Sequence, residues 1–197
     1  MSVLKVSQLV YQGCGPVDLA IEAGECIGLT GESGSGKSLL LRAIADLDEH
    51  RGDVLLGDVN CKSVAAPEWR QQVALLPADS QWWFDTVGEH FNATDTELFQ
   101  RLGFKPQVAD WMVSRLSSGE KQRLALIRML ASQPRVLLLD EPTANLDRQN
   151  TTGFEQIVAD YLATHNACAI WVSHDREQLQ RITHKIYTIE KGRLNLC

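Results

Sequence analysis

The chain has 197 residues, 44% of them hydrophobic, and a formal net charge of −6, which suits one large or two small domains with a buried core. No stretch approaches the roughly 18 uninterrupted apolar residues of a membrane-spanning helix, and the acidic balance argues against a nucleic-acid surface, so no nucleic-acid partner is expected. Residues 1–5 lack the basic region and apolar core of a signal peptide. Cys14, Cys26, Cys61, Cys168 and Cys197 are scattered, without a C-x-x-C pair for zinc or redox chemistry, and read as reduced cytosolic thiols, Cys26 and Cys168 within core strands.

In chain order, residues 3–10 and 17–21 have the alternation of strands, and 26–30 reads as a short buried strand. A helical period follows over 38–47. A Gly57-Asp58 turn joins two short strands near Val54 and Val59. Pro67 opens a short helix through Gln72, and 73–76 is a buried strand ending at Pro77. From 89 to 116 the pattern is helical and broken by Gly103 and Pro106. Strand and helix then alternate: a strand over 136–140, a helix over 148–164, a strand over 167–173, a helix after His174 and a strand over 185–189. Such alternation predicts an α/β fold, a parallel sheet with an N-terminal antiparallel β portion and a short helical insertion.

Between the third strand and its helix lies Gly31-Glu32-Ser33-Gly34-Ser35-Gly36-Lys37-Ser38, which matches the phosphate-binding pattern G-x-x-x-x-G-K-[ST] at every fixed position. Glycines there let backbone N–H groups approach phosphate oxygens where a side chain would obstruct them. Lys37 is placed to reach the β- and γ-phosphates, Ser38 to coordinate Mg²⁺, and Leu39 continues the cradle into the helix. Downstream, Ser117 and Glu120 fit a helix capping box ahead of Leu124, Ile127 and Ala131 on one helical face. The run Val136-Leu137-Leu138-Leu139 ends in Asp140-Glu141, as a strand buried on both faces would, with its acids at the end where ligands collect in open α/β sheets.

The order of these segments resembles that of the ATP-binding cassette (ABC) ATPases, whose likeness covers nearly the whole chain. Leu116-Ser117-Ser118-Gly119-Glu120 is similar to the family signature, Val136 through Glu141 to its Walker B strand and catalytic glutamate, Ala144-Asn145-Leu146-Asp147 to its D-loop, and His174 to its switch histidine. The resemblance implies one ATPase domain over 1–197, with 1–77 and 117–197 as the P-loop NTPase core and 78–116 as a reduced helical subdomain. It further implies that Asp140 and Ser38 hold Mg²⁺, that Glu141 polarises the attacking water, and that His174 hydrogen-bonds the γ-phosphate. The signature residues Ser117, Ser118, Gly119 and Glu120 would serve the nucleotide of a second copy of the chain. Further resemblance, in Arg70-Gln71-Gln72-Val73, Leu126-Ile127-Arg128 and Trp171 through Asp175, is to small ATPase subunits of the Fet (YbbL-like) type, associated with metal, including iron, export.

Three departures stand out. Ala78 falls where the family carries a glutamine that senses the membrane partner, with Gln81 three residues on as a substitute. Gly13 falls where an aromatic ring usually stacks on adenine, leaving Tyr11 either as a displaced base-stacking residue or as an ordinary strand-end aromatic. Ser118 replaces the first glycine of the signature. The resemblance implies an ATP-binding and ATP-hydrolysing subunit, peripheral on the cytoplasmic face of a membrane, that powers an integral membrane transporter subunit; the alternative is a soluble ABC ATPase of repair, translation or cluster assembly. Trp82-Trp83-Phe84 follows the Ala78 segment, and these rings are either interface anchors or the packing of a compact subdomain.

Overall fold

A computed structural model describes residues 2–91, 96–190 and 192–197, so Met1, Lys191 and residues 92–95 of the expected broken helical stretch lie outside the described residues. In chain order the elements are β1 (Ser2–Tyr11), β2 (Cys14–Glu22), β3 (Cys26–Thr30), α1 (Lys37–Ile44), β4 (His50–Leu56), β5 (Val59–Asn60), α2 (Ala66–Gln72) and β6 (Val73–Leu76). They continue with α3 (Thr96–Arg101), α4 (Ser118–Leu130), β7 (Val136–Asp140), α5 (Arg148–His165), β8 (Cys168–Val172), α6 (Arg176–Ile182), β9 (Lys185–Glu190) and β10 (Arg193–Leu196). Among the described residues, no helix is long and apolar enough to cross a membrane.

Two sheets form. The antiparallel one runs β2-β1-β4-β5, and the larger runs β10-β9-β3-β8-β7-β6, parallel throughout except at β10. Pro16 is accommodated because β2 is an edge strand, where a missing N–H costs no ladder hydrogen bond. Residues 136–140 and 168–172 are buried at every position, as strands covered on both faces must be. Their side chains divide by parity. Leu137, Leu139, Ala169 and Trp171 pack toward α4, α5 and the 78–116 segment, whereas Val136, Leu138, Cys168, Ile170 and Val172 pack toward α1 and the antiparallel sheet. Cys26 and Cys168 lie buried on paired strands, and burial raises both thiols above their ordinary range.

Four sequence expectations are corrected. β10 was missed, because the alternation in Arg193-Leu194-Asn195-Leu196 is only four residues long and three of the four are exposed. β2 begins at Cys14 rather than 17. α1 ends at Ile44 rather than 47, since Asp46 takes a left-handed φ of 54° and Leu47 N–H donates back to the Arg42 carbonyl at 2.9 Å, a Schellman-like stop. The described residues of the 89–116 stretch are less helical than its periodicity suggests: beyond α3 they form short 3-10 turns at Gly88–His90, Pro106–Asp110 and Val113–Arg115. It closes on itself instead through Val87 N–H to Trp111 O and Val113 N–H to Asp85 O, at 2.9 and 2.8 Å.

Phe154 of α5 is fully buried and meets Trp171 of β8 edge-on, with ring centroids 5.8 Å apart. Phe154→Ala should lower the unfolding free energy by about 3–5 kcal/mol, read as a shift of the urea midpoint with an unchanged m-value.

Candidate functional site

Register determines what meets at the site. Leu29 of β3 pairs with Val172 of β8, and Val172 pairs in turn with Asp140 of β7, so the carboxyl ends of three adjacent parallel strands lie in one row. From that row leave the phosphate loop, the Ser173-His174 turn and the Asp140-Glu141 pair. The crevice beyond the carboxyl ends of such strands is where open α/β sheets bind ligands.

The loop after β3 is shaped by its glycines. Gly31 has φ 143°, and a Cβ there would fall 2.6 Å from the Ile189 carbonyl oxygen and 2.9 Å from Ser35 Oγ. Gly36, with φ 104°, begins α1 from a left-handed conformation without a side-chain cap, leaving the first N–H groups of the helix free of one. Lys37 is buried, and its ammonium donates to the carbonyls of Gly31 and Glu32, both at 2.9 Å, so it spans the loop it belongs to. Glu32, Ser33, Gly34 and Ser38 lie toward the outside of the loop, while Leu39 is half-buried against the α1 core.

Asp140 ends β7 nearly buried, and Glu141 follows with a left-handed φ of 47°. Glu141 Oε1 lies 3.2 Å from His174 Nε2, close enough for an ion pair yet outside hydrogen-bond alignment, so this buried oxygen keeps an unused acceptor site. Burial pushes the Glu141 carboxyl above the usual carboxylate range, with His174 and Lys37 pulling the other way. A raised carboxyl facing a crevice is the electrostatic character of a general base. Phosphate loop, acid pair and histidine are thus brought together. Among the described residues, buried Ser35 Oγ has no hydrogen-bond partner. A loop with left-handed φ at Gly31, Gly34 and Gly36, a lysine bonded to loop carbonyls and a buried hydroxyl fit a polyphosphate, and the oxygen ligands Ser38 and Asp140 fit a hard cation such as Mg²⁺.

The signature segment forms the expected capping box: Ser117 Oγ accepts from Glu120 N–H at 3.2 Å, and Glu120 Oε2 accepts from Ser117 N–H at 2.8 Å. Ser117 and Ser118 are exposed at the start of α4. Gly119 is half-buried, and a Cβ on it would come within 2.8 Å of Asn145 O and 3.1 Å of Leu146 Cδ2. The signature helix therefore sits directly on the 144–147 segment.

Two expectations fare differently. Tyr11 is 1% exposed, its ring packed in the core cluster shared by β1 and α1. The turn that follows it presents Gln12 and Gly13, both exposed. Ala78 is exposed, and the nearby Gln81 amide turns back on the Asp79 carbonyl at 3.5 Å.

One residue escaped the sequence reading. Gln178 of α6, 3% exposed, accepts from Ser173 Oγ at 3.0 Å and donates to Thr143 Oγ1 at 2.9 Å and Glu155 Oε1 at 2.8 Å. It ties the turn after Glu141 to the turn before His174. A glutamine on a short helix carries no local signal, and only the tertiary pairing reveals it.

Within the 78–116 segment, His90 is buried and arranges the aromatic cluster. Its Nε2 accepts from the Trp83 and Phe84 N–H groups, both at 3.1 Å, and its Nδ1 donates to the Thr86 carbonyl at 2.9 Å. The Arg128 guanidinium lies 4.5 Å from the Trp82 ring centroid and 4.7 Å from that of Trp83. Trp82 packs partly into the core, whereas Trp83 is 64% exposed and lines a groove with Leu75, Pro77 and Ser132.

Known proteins match this arrangement. The chain is 33% identical over 190 residues, 91% of its length and 67% of the relative's, to the aliphatic sulfonates import ATP-binding protein SsuB 2 of Pseudomonas aeruginosa (strain UCBPP-PA14). It is 32% identical over 187 residues to the probable iron export ATP-binding protein FetA of Escherichia coli (strain K12), covering 88% of this chain and 83% of that one. In fold it superposes on a dimeric ATP-binding cassette, MJ0796, in a post-hydrolysis state bound to ADP and Pi, with a TM-score of 0.82 and 21% identity over 98% of this chain and 96% of that one. The ABC transporter family profile matches residues 14–144. The chain belongs to the ABC transporter family, as one of its ATP-binding, ATP-hydrolysing proteins.

Proposed function

We propose that this chain is the ATPase subunit of a membrane transporter, acting as a nucleotide-sandwich homodimer on the cytoplasmic face of the membrane against a separate integral membrane subunit. The observation that carries the reading is the row of strand ends that sets the phosphate loop, Asp140-Glu141 and His174 around one crevice. One ATPase unit spans 1–197, with 1–77 and 117–197 as nucleotide core and 78–116 as a reduced helical subdomain. The two relatives differ in cargo and direction by name, sulfonate import and iron export, at nearly equal identity. Cargo choice therefore belongs to the membrane subunit.

The residues divide the work. Backbone N–H groups from Gly31 to Leu39 and the Lys37 ammonium receive the phosphates, for which Lys37 exchanges its bonds to the loop carbonyls. Ser38 and Asp140 would hold Mg²⁺, which would supply positive charge against the phosphates. Glu141, its carboxyl raised by burial, takes the proton of the attacking water through the oxygen that has no hydrogen bond. His174, beside that carboxylate, orients it and faces the γ-phosphate. Ser117, Ser118, Gly119 and Glu120 present the positive end of α4 to the nucleotide of the partner copy. Each chain has one phosphate loop and one signature, so two copies complete two sites.

Glu141→Gln removes the proton acceptor and keeps the shape. It should cut ATP hydrolysis by ~10²–10⁴-fold while leaving nucleotide affinity intact, and it should trap an ATP-bound dimer visible by size exclusion. Wild-type turnover in this variant would overturn the role of Glu141.

With Gly13 at the base-facing turn and the Tyr11 ring enclosed, adenine gains little stacking energy. GTP should compete with ATP to within about tenfold, ~1.4 kcal/mol, in a competition-binding assay. A preference for ATP above roughly a hundredfold would place an aromatic ring at the base after all.

Trp83 is the anchor offered to the membrane subunit. Trp83→Ala, which removes the more exposed of the two rings at Arg128, should cost about 0.5–1 kcal/mol in stability and abolish capture of that subunit, whereas Trp82→Ala, which also strips a partly buried ring from the core, should cost ~1–3 kcal/mol in unfolding free energy. Unaltered partner binding by Trp83→Ala would assign the cluster to packing alone.

A further inference from the structure

Away from the crevice, three potential metal ligands converge that are separated in sequence and absent from any C-x-x-C pattern. Asp46 follows α1, His50 opens β4, and Cys61 begins the 3-10 turn after β5. One ligand atom from each lies within 4.8 Å of the others. His50 Nε2 is 3.7 Å from Cys61 Sγ. The edge of a tetrahedral Zn²⁺ site between sulfur at about 2.3 Å and imidazole nitrogen at about 2.0–2.1 Å is ~3.5 Å, so this pair stands at coordination spacing.

The surroundings orient the ligands. His50 Nδ1 lies 3.3 Å from the Asp48 carbonyl oxygen, the outer-shell hydrogen bond that fixes the tautomer and turns the Nε2 lone pair toward a metal. Asp48 is itself held by Arg42, at 2.6 and 2.7 Å, and by Gln12 at 3.2 Å. The Asp46 carbonyl accepts from Arg70 Nη2 at 2.5 Å, which pins that backbone. Cys61 is buried, and Asp46 and His50 are half-buried at the wall of a groove also lined by Gln12, Gly13, Glu49 and Lys62.

We propose that Asp46, His50 and Cys61 form a binding site for a borderline-soft divalent cation of the Zn²⁺ class. A thiolate with an imidazole suits Zn²⁺ or Co²⁺ and disfavours Mg²⁺ and Ca²⁺, which take oxygen ligands. The Mg²⁺ assigned to Ser38 and Asp140 is therefore chemically separate. The plain competitor is an S–H···N hydrogen bond between Cys61 and His50 with no ion. An occupied site would staple the end of α1, whose first residue is Lys37, to the antiparallel sheet.

Co²⁺ titration of the whole, reduced, metal-stripped chain without nucleotide decides between them. The expected result is a thiolate-to-cobalt charge-transfer band in the near ultraviolet, with tetrahedral visible bands, saturating at one equivalent and displaced by Zn²⁺. Cys61→Ser should remove the charge-transfer band, His50→Ala should weaken Co²⁺ binding at least tenfold, and Cys197→Ser, at an exposed thiol, should leave both unchanged. Absence of a thiolate band in the wild-type chain, its survival in Cys61→Ser, or wild-type affinity in His50→Ala would each overturn the site. If Cys61→Ser fails to fold by circular dichroism, the wild-type band and the His50→Ala affinity together decide the matter.

Discussion

The alignment of three neighbouring parallel strands is the constraint on which the rest depends. Leu29, Val172 and Asp140 share one row of the sheet, and a slip of one residue in either pairing would invert every side chain of the slipped strand. Register is held because both faces are buried: Leu137 and Leu139 belong to one core, Val136 and Leu138 to the other. Apolar burial on two sides thus fixes the chemistry at the strand ends. Asp140 and Glu141 occupy the first positions at which the sheet stops needing hydrophobic residues.

Polar groups then refine what apolar packing aligns. Gln178 joins Thr143, Ser173 and Glu155, and Arg181 completes the set with Glu155 at 2.8 Å. A network of this kind rigidifies its surroundings when its members are satisfied. It holds the turns that carry Glu141 and His174 without touching the crevice. His90 plays the comparable part in the 78–116 segment, where one ring nitrogen bonds the Thr86 carbonyl and the other accepts from the Trp83 and Phe84 N–H groups.

Much of this was legible in the sequence where function demands a local pattern. The phosphate loop is readable because its glycines occupy positive φ, as at Gly31 and Gly36, and the start of α4 because Ser117 and Glu120 cap within four residues of each other. Signals that depend on partners were not. β10 is too short and too exposed to announce itself, and it exists because β9 offers an edge. The insertion carries apolar spacing suited to helices, yet Gly103 and Pro106 divert it into turns closed by the bonds between 85–87 and 111–113. Tyr11 and the cluster of Asp46, His50 and Cys61 show the same limit, since burial of a ring and convergence of distant ligands are properties of the folded chain.

The close packing of Gly119 on Asn145 and Leu146 has a mechanical meaning. With no side chain on Gly119 to hold them apart, the start of α4 lies directly against the Asn145 backbone and the Leu146 side chain, four to five residues beyond Glu141. In the proposed two-chain sandwich, α4 would address the nucleotide of the neighbour while Glu141 would address the chain's own. In that arrangement a displacement at either nucleotide would reach the other across a few ångströms, and the two sites of a dimer would be geared together. Glycine at position 119 is the tooth of that gear, because any larger residue would open a gap where the motion must be conveyed.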